Sequence, residues 1–182
     1  MYAFLKAHWV AGAAFIAAAL LALAPILALD WPIGPWLIFL HSPGYMIHQV
    51  EEHHHDRFRV FVNQTMFAGR EALTIADVIA VNVGGVWLGN FAALCAARCL
   101  GPGWGLAAPY LMLVNAFGHI AQAIVLRRYN PGVLTSVLIF VPLGVTTLAL
   151  VPGSAAQHAL GVGVALLVHV AIAVGVARRL RA

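Results

Sequence analysis

Five long blocks of apolar residues constrain the possible folds of this chain more than any other feature. Each block is long enough, or nearly so, to cross the ~30 Å hydrocarbon core of a bilayer, which takes about 20 apolar residues in a helix. The blocks cover about residues 8–29, 75–100, 105–126, 133–151 and 157–177. The chain is therefore predicted to be an all-α, polytopic membrane protein.

A sixth block, about residues 35–55, is apolar at its start and polar at its end. We expect a helix whose second half is buried against other helices. A soluble domain does not fit, because 63% of the 182 residues are hydrophobic and only 9% are charged, whereas soluble domains are nearer half apolar. We predict a single transmembrane helical domain over residues 1–182, with about six membrane helices.

The first apolar stretch, His8 to Leu29, is longer than the hydrophobic part of a signal peptide, so we interpret it as a retained helix. With six helices and a cytoplasmic N-terminus, nine of the ten basic residues fall on the cytoplasmic side and only Arg98 falls outside. Because cytoplasmic loops are enriched in Lys and Arg, we expect both termini in the cytoplasm. The positive charge is thus explained by topology, and no nucleic-acid partner is expected.

The polar end of the sixth block is the run from His48 to Asp56. Seven of its nine residues can bind a metal or transfer a proton, and it holds three of the six acidic residues of the chain. Ionisable side chains are costly near lipid, so they rarely gather there without a partner or a task. The predicted orientation places this run at the cytoplasmic end of the second helix.

Helical spacing selects candidate metal ligands within this run. His48, Glu51, Glu52 and His55 stand at i, i+3, i+4 and i+7, so a continuous helix would present them on one face. Helical metal sites use Glu and His at i, i+3 in this way. Three further polar residues fall partly off that face, and we expect them to support the ligands or to contact substrate: His53, His54 and Asp56.

One helix rarely completes a metal site, and the best partner is His119 on the fourth predicted membrane helix. It lies about two turns from the cytoplasmic end of that helix, at a depth that matches the His48 run. Asn115, one turn deeper on the same face, is expected to support the ligands or to contact substrate. The predicted ligands suit a divalent metal, with zinc favoured and iron as the alternative. The full predicted set is His48, Glu51, Glu52, His55 and His119.

Three motifs together resemble the HXXEE-motif family of small membrane proteins, over about residues 40–150. They are His48-x-x-Glu51-Glu52, Asn115-x-x-x-His119 and Arg128-Tyr129-Asn130-Pro131-Gly132. The resemblance implies a bacterial multi-helix membrane protein, and hence the inner (cytoplasmic) membrane. It implies no mechanism, because that family is one of uncertain function.

The favoured hypothesis is a metal-dependent hydrolase of a lipid-like or other hydrophobic substrate. A catalytic zinc activates water, and the carboxylate of Glu51 or Glu52 that does not bind metal is the expected general base. A di-iron oxidoreductase of the hydroxylase or desaturase kind and a metal-free lipid isomerase are alternatives. A metal or proton carrier ranks last, because the outer half is nearly free of ionisable groups and no repeat relates the two halves.

Overall fold

The computed structural model describes residues 2–181 as six long helices and several short helical segments, with no strand in that range. The helices are α1 Tyr2–Asp30, α2 Ile33–His53, α3 Arg57–Phe61, α4 Ile75–Cys99, α5 Ala107–Leu126, α6 Val133–Leu150 and α7 Ala155–Arg179. Five of them, α1, α4, α5, α6 and α7, are long and apolar enough to cross a membrane. The all-α membrane-bundle prediction is confirmed, and the helices form one compact domain.

Successive long helices alternate in direction, so that their ends meet on two opposite faces of the bundle. On one face the start of α1 meets the end of α2, where the rings of Trp9 and His53 lie 4.9 Å apart. On the same face the start of α4 meets the end of α7, where Asp77 pairs with Arg179. We call this face the basic end. The opposite face holds Arg98, whose guanidinium lies 4.8 Å from the Trp31 ring centroid.

Helix α2 is the central helix of the bundle. Fourteen of its 21 residues are buried, and it packs against α1, α4, α5 and α6. By contrast, only Gly161 and Ala165 are buried along the 25 residues of α7. At 1.5 Å per residue α2 is about 31 Å long, so it reaches from one face of the bundle to the other. Its polar side chains are therefore surrounded by protein, which is where ionisable groups in membrane proteins are tolerated.

Apolar side chains pack directly beneath the polar part of α2. The ring centroid of Phe140 lies 4.6 Å from that of Tyr45 and 4.2 Å from that of His48. Phe140 and Met112 are fully buried in this layer. Because lipid tails are as apolar as these side chains, such packing acts through van der Waals contact between close helices. This apolar layer packs against the polar residues of α2 and supports their side chains.

Helix α2 ends at His53, because the next residues leave the helical conformation. His55 and Asp56 both adopt left-handed backbone angles, with φ of 56° and 59°. Arg57 then donates hydrogen bonds to the carbonyl oxygens of Glu51 and His54, at 2.8 and 3.1 Å, which satisfies acceptors left free at a helix end. The expectation that His55 shares the face of the polar run is wrong, since helical spacing does not extend to it.

Candidate metal centre

Glu52 lies at the centre of a buried polar cluster at the basic end. Its Oε1 lies 3.0 Å from Nε2 of His119, and its Oε2 lies 3.2 Å from Nε2 of His53 and 3.5 Å from Nε2 of His48. All four side chains are buried. The potential ligand atoms of His48, Glu52 and His119 lie within 4.8 Å of one another. Three imidazole nitrogens thus surround one carboxylate, and we call these four residues the Glu52 cluster.

The tautomer of His48 follows from its contact with Thr135. The Thr135 hydroxyl lies 2.5 Å from Oε2 of Glu51 and 2.7 Å from Nδ1 of His48. An ionised carboxylate only accepts hydrogen bonds, so the single hydroxyl proton is donated to Glu51 and the Nδ1–H of His48 is donated to the hydroxyl oxygen. Nε2 of His48 therefore carries a lone pair, which faces Glu52.

The orientation of His119 is set by Asn130. The Asn130 amide nitrogen donates to the backbone carbonyl of His119 at 2.9 Å, which turns its Oδ1 toward the ring. Nδ1 of His119 donates to that Oδ1, also at 2.9 Å. In a neutral His119 the one N–H is thus on Nδ1 and Nε2 presents a lone pair to Glu52, whereas a protonated ring would donate to Oε1 of Glu52 across the 3.0 Å contact.

A chain of hydrogen bonds that begins at Trp87 orients His53. The Trp87 indole N–H donates to Gln49 at 2.7 Å, Gln49 donates to Asn82 at 3.0 Å, and Asn82 lies 3.2 Å from Nε2 of His53. An indole N–H can only donate, so it fixes the direction of every bond along the chain. Asn82 therefore donates to the lone pair of Nε2 of His53, while Nδ1 of His53 is buried without a hydrogen-bond partner among the described residues.

With both rings neutral, the Glu52 cluster consequently places the Nε2 lone pairs of His48 and His119 against a carboxylate that is itself an acceptor. Nε2 of His48 has no hydrogen-bond partner in the described part of the chain. Buried acceptors without a donor are costly. A cation among them would satisfy these acceptors at once, and the hydrogen bonds at Nδ1 of His48 and of His119 resemble those that orient metal-binding histidines. Imidazole and carboxylate donors suit zinc, iron or manganese.

Glu51 does not face the cluster, contrary to the predicted ligand set. Its carboxylate accepts from the backbone N–H groups of Leu134 and Thr135, at 3.2 and 2.8 Å, in the first turn of α6. The free N–H groups at a helix start stabilise a carboxylate in this position. With these bonds and the Thr135 hydroxyl already on its two oxygens, Glu51 is a poor choice for ligand or general base. It joins α2 to α6 and supports His48 through Thr135.

Tyr129 completes the surroundings of Glu51. Its hydroxyl donates to Oε1 of Glu51 at 2.7 Å. Burial and this hydrogen bond raise the pKa of Tyr129 to about 12, so the hydroxyl keeps its proton near neutral pH. Tyr129 therefore remains a hydrogen-bond donor to the Glu51 carboxylate near neutral pH.

Gly132 brings the turn between α5 and α6 against the cluster. It has a φ of 103°, and a Cβ atom there would lie 2.7 Å from Cε1 of His119 and 2.9 Å from Cγ of Glu52. Glycine tolerates both the left-handed backbone and this close approach. Asn130, Gly132 and Thr135 were not predicted as site residues. The motif from Arg128 to Gly132 was the available signal for the first two, but it gave no role for either.

The remaining predicted residues take other positions. His54 and His55 are exposed, with ring centroids 3.9 Å apart, and neither joins the cluster. Asp56 accepts from Nε of Arg59 at 2.8 Å and also lies outside it. Asn115 has a buried Oδ1 that finds no partner within the described residues. Of the residues expected only to support the site, His53 is the one that lies in the cluster.

A cavity of about 470 Å³ opens beside the Glu52 cluster, between α4, α5 and α7. Glu52, His53 and His119 form part of its wall, together with Asn115, while His48 lies outside the lining. Most of the other lining residues are apolar. The volume is within the range of small-molecule sites, which are mostly apolar with a few polar groups. The cluster is therefore closed on one side and faces a binding space on the other.

Comparison with known proteins gives one match. The family model described as protein of unknown function with HXXEE motif matches residues 36–147. This range contains the whole Glu52 cluster and the turn with Asn130 and Gly132, and it leaves out α1 and α7. No curated protein and no solved structure matches the chain.

Proposed function

We propose that this chain, which belongs to the HXXEE-motif family of proteins of unknown function, is an integral membrane metalloenzyme that hydrolyses a lipid-like or other hydrophobic substrate. One observation carries the proposal: the potential ligand atoms of His48, Glu52 and His119 lie within 4.8 Å of one another, buried beside a mostly apolar cavity. The other functions considered from the sequence are possible outcomes of the experiments described below.

His48, Glu52 and His119 are the proposed ligands. Two histidines and one glutamate, with a further position left open, are a ligand set of catalytic zinc sites, whereas structural zinc sites are closed by four protein ligands. Zinc is favoured for this reason, and iron suits the same donors. Such an ion polarises a substrate carbonyl and lowers the pKa of a bound water to about 7.

His53 is the proposed proton acceptor, in place of Glu51. It lines the cavity beside Glu52, and Asn82 keeps a second hydrogen bond, to the carbonyl of Val78, when Nε2 of His53 takes a proton. In ester hydrolysis the water oxygen bonds to the carbonyl carbon and a water proton moves to His53. The bond to the leaving alcohol oxygen then breaks, and His53 returns the proton to that oxygen.

Elemental analysis of purified protein tests the metal site. We expect about one zinc or iron ion per chain in the wild type, and almost none in His48→Ala, Glu52→Ala or His119→Ala. His55→Ala is the matched control, because it removes an exposed imidazole three residues beyond Glu52. A metal-free wild type, or unchanged metal in His119→Ala, would contradict the proposal. Two irons per chain would favour the di-iron alternative.

Hydrolysis of p-nitrophenyl decanoate by protein in proteoliposomes tests the reaction. We expect activity that a chelator removes and zinc restores. His53→Ala should lower kcat by about 10²–10⁴-fold, the usual contribution of a general base, without lowering metal content. His54→Ala is the control, since His54 is exposed next to it. Activity that resists chelation would contradict the metal mechanism.

A further inference from the structure

The cavity beside the Glu52 cluster is an elongated slot. Its wall follows α5 from Leu111 to Gln122 and α7 from Val168 to Arg179. Each stretch rises by 11 residues, which is about 16 Å along a helix at 1.5 Å per residue. A ligand that fills the slot is therefore long and narrow, and it lies parallel to the helices.

The two ends of the slot differ in polarity. His119 is about 4.5 Å along α5 from Gln122 and about 12 Å from Leu111, by the same helical rise. Beyond the cluster, the end near Leu111 is lined mostly by apolar side chains such as Val86 and Val168, with Tyr45, Asn115 and His169 as its polar members. The reactive residues thus lie near the basic end, and a mostly apolar compartment extends away from them.

An ion pair stands at the basic end of the slot. Nη2 of Arg179 lies 2.9 Å from Oδ1 of Asp77, and the two side chains are 41% and 36% exposed. Ion pairs this exposed contribute little stability, and Asp77 also accepts from the backbone and hydroxyl of Thr74. Arg179 can therefore exchange Asp77 for another anion, and a guanidinium binds carboxylate or phosphate with two parallel hydrogen bonds.

Two glycines keep the slot open. Gly118 on α5 and Gly175 on α7 both line it, and a Cβ atom at either position would meet nothing within 4 Å. Larger side chains at these positions would enter empty space without a clash. The width of the slot therefore depends on residues that have no packing role of their own.

We propose that this slot binds an amphiphile with one apolar tail and an anionic head group. The tail lies toward Leu111 and Val168, the head group pairs with Arg179, and the reacting bond lies beside Glu52 and His119. This assignment names the substrate class of the proposed hydrolase and rests on that function for the reaction. The binding itself can be tested without turnover.

Photolabelling with a diazirine analogue of dodecanoic acid, in protein reconstituted in vesicles, tests the proposal. Mass spectrometry should locate the label on slot residues of the wild type. Gly118→Leu and Gly175→Leu should lower labelling roughly tenfold or more, since each fills the slot. Gly163→Leu is the matched control, because it adds the same side chain to an exposed, open position of α7 outside the slot.

The head group is tested by comparing the acid with the analogous dodecanol probe. The wild type should prefer the acid, and Arg179→Gln should lose that preference while its labelling by the alcohol persists. Equal labelling of wild type by acid and alcohol, or full labelling of Gly175→Leu, would overturn the proposal.

Metal content measured on the same samples separates the two proposals. Protein that binds metal but takes no label in the slot would overturn the substrate class alone. Protein that takes the label without binding metal would support the slot assignment and overturn the hydrolase.

Discussion

At the scale of single residues, the two adjacent glutamates of the motif have separate tasks. Successive residues of a helix point about 100° apart at 3.6 residues per turn. Glu52 therefore faces the histidines of α2 and α5, while Glu51 faces the first turn of α6. The sequence prediction placed both glutamates on the face of His48, because residues at i+3 and i+4 are both neighbours of residue i on a helix surface. Only the position of α6 decides which glutamate reaches the site, and spacing along one helix does not contain that information.

Asn130 is expected to control metal affinity without touching the ion. Asn130→Ala removes the acceptor of the His119 N–H, so the ring is free to rotate or change tautomer. Metal affinity should fall by about 10–100-fold, as for other groups that orient a ligand. Competition with a fluorescent chelator measures this. Asn90→Ala is the control, since Asn90 is buried on α4 with its amide bonded to its own helix, and an equal loss there would count against the role of Asn130.

Thr135 is expected to act through its hydroxyl alone. Thr135→Val keeps the shape of the side chain but removes the group between His48 and Glu51, so metal affinity should again fall by about 10–100-fold. Thr135→Ser keeps the hydroxyl and should restore most of the affinity. If the valine and serine variants bind metal alike, the tautomer argument for His48 is wrong.

At the scale of elements, the helices were more predictable than their ends and turns. The apolar blocks follow from the length that a bilayer demands, and α4 to α6 begin and end within two residues of the predicted ranges. The predicted end of α2, at about residue 55, lies two residues beyond the observed end at His53, and the left-handed turn at His55 and Asp56 was not predicted because it leaves no mark in hydrophobic periodicity. The link from Trp87 to His53 was also missed, since it depends on a π-helical stretch of α4, Ala80–Trp87, that sequence patterns do not reveal.

The turn between α5 and α6 is expected to be intolerant of change at Gly132. Gly132→Ala forces a left-handed alanine, at a cost of roughly 1–3 kcal/mol, and places a methyl group against His119 and Glu52. Both thermal stability and metal content should fall. Circular dichroism in detergent follows unfolding, with Gly89→Ala as the control because its added methyl group meets nothing within 4 Å. A stable, metal-loaded Gly132→Ala protein would show that the turn can move away from the site.

At the scale of the whole molecule, the site joins segments that are far apart in sequence. His48 and Glu52 come from α2, His119 from α5, and their orienting partners Asn130 and Thr135 from the following turn and α6. The predicted pairing of the α2 run with His119 agrees with this arrangement, because both lie near the same end of antiparallel helices. The cavity was not predicted, since it depends on how far α7 stands from α4.

The orientation in the membrane is expected to follow the basic residues, with the basic end in the cytoplasm. Cys95 and Cys99 are exposed near the opposite end of α4. In spheroplasts of a bacterial host, a membrane-impermeant maleimide should therefore label Cys99 in the variant that keeps only this cysteine. A cysteine-free variant carrying Arg128→Cys should react only after lysis. The reverse pattern would place the Glu52 cluster at the outer face.

The position of α7 has a consequence for how this family can diversify. Helix α7 forms one long wall of the slot and supplies no side chain to the Glu52 cluster, and it lies outside the matched range 36–147. On the proposed function, one wall of the substrate slot therefore lies in a segment of the chain separate from the residues that perform the reaction. Different side chains on α7 could give such a protein a different lipid to act on, while the residues that perform the reaction stay as they are.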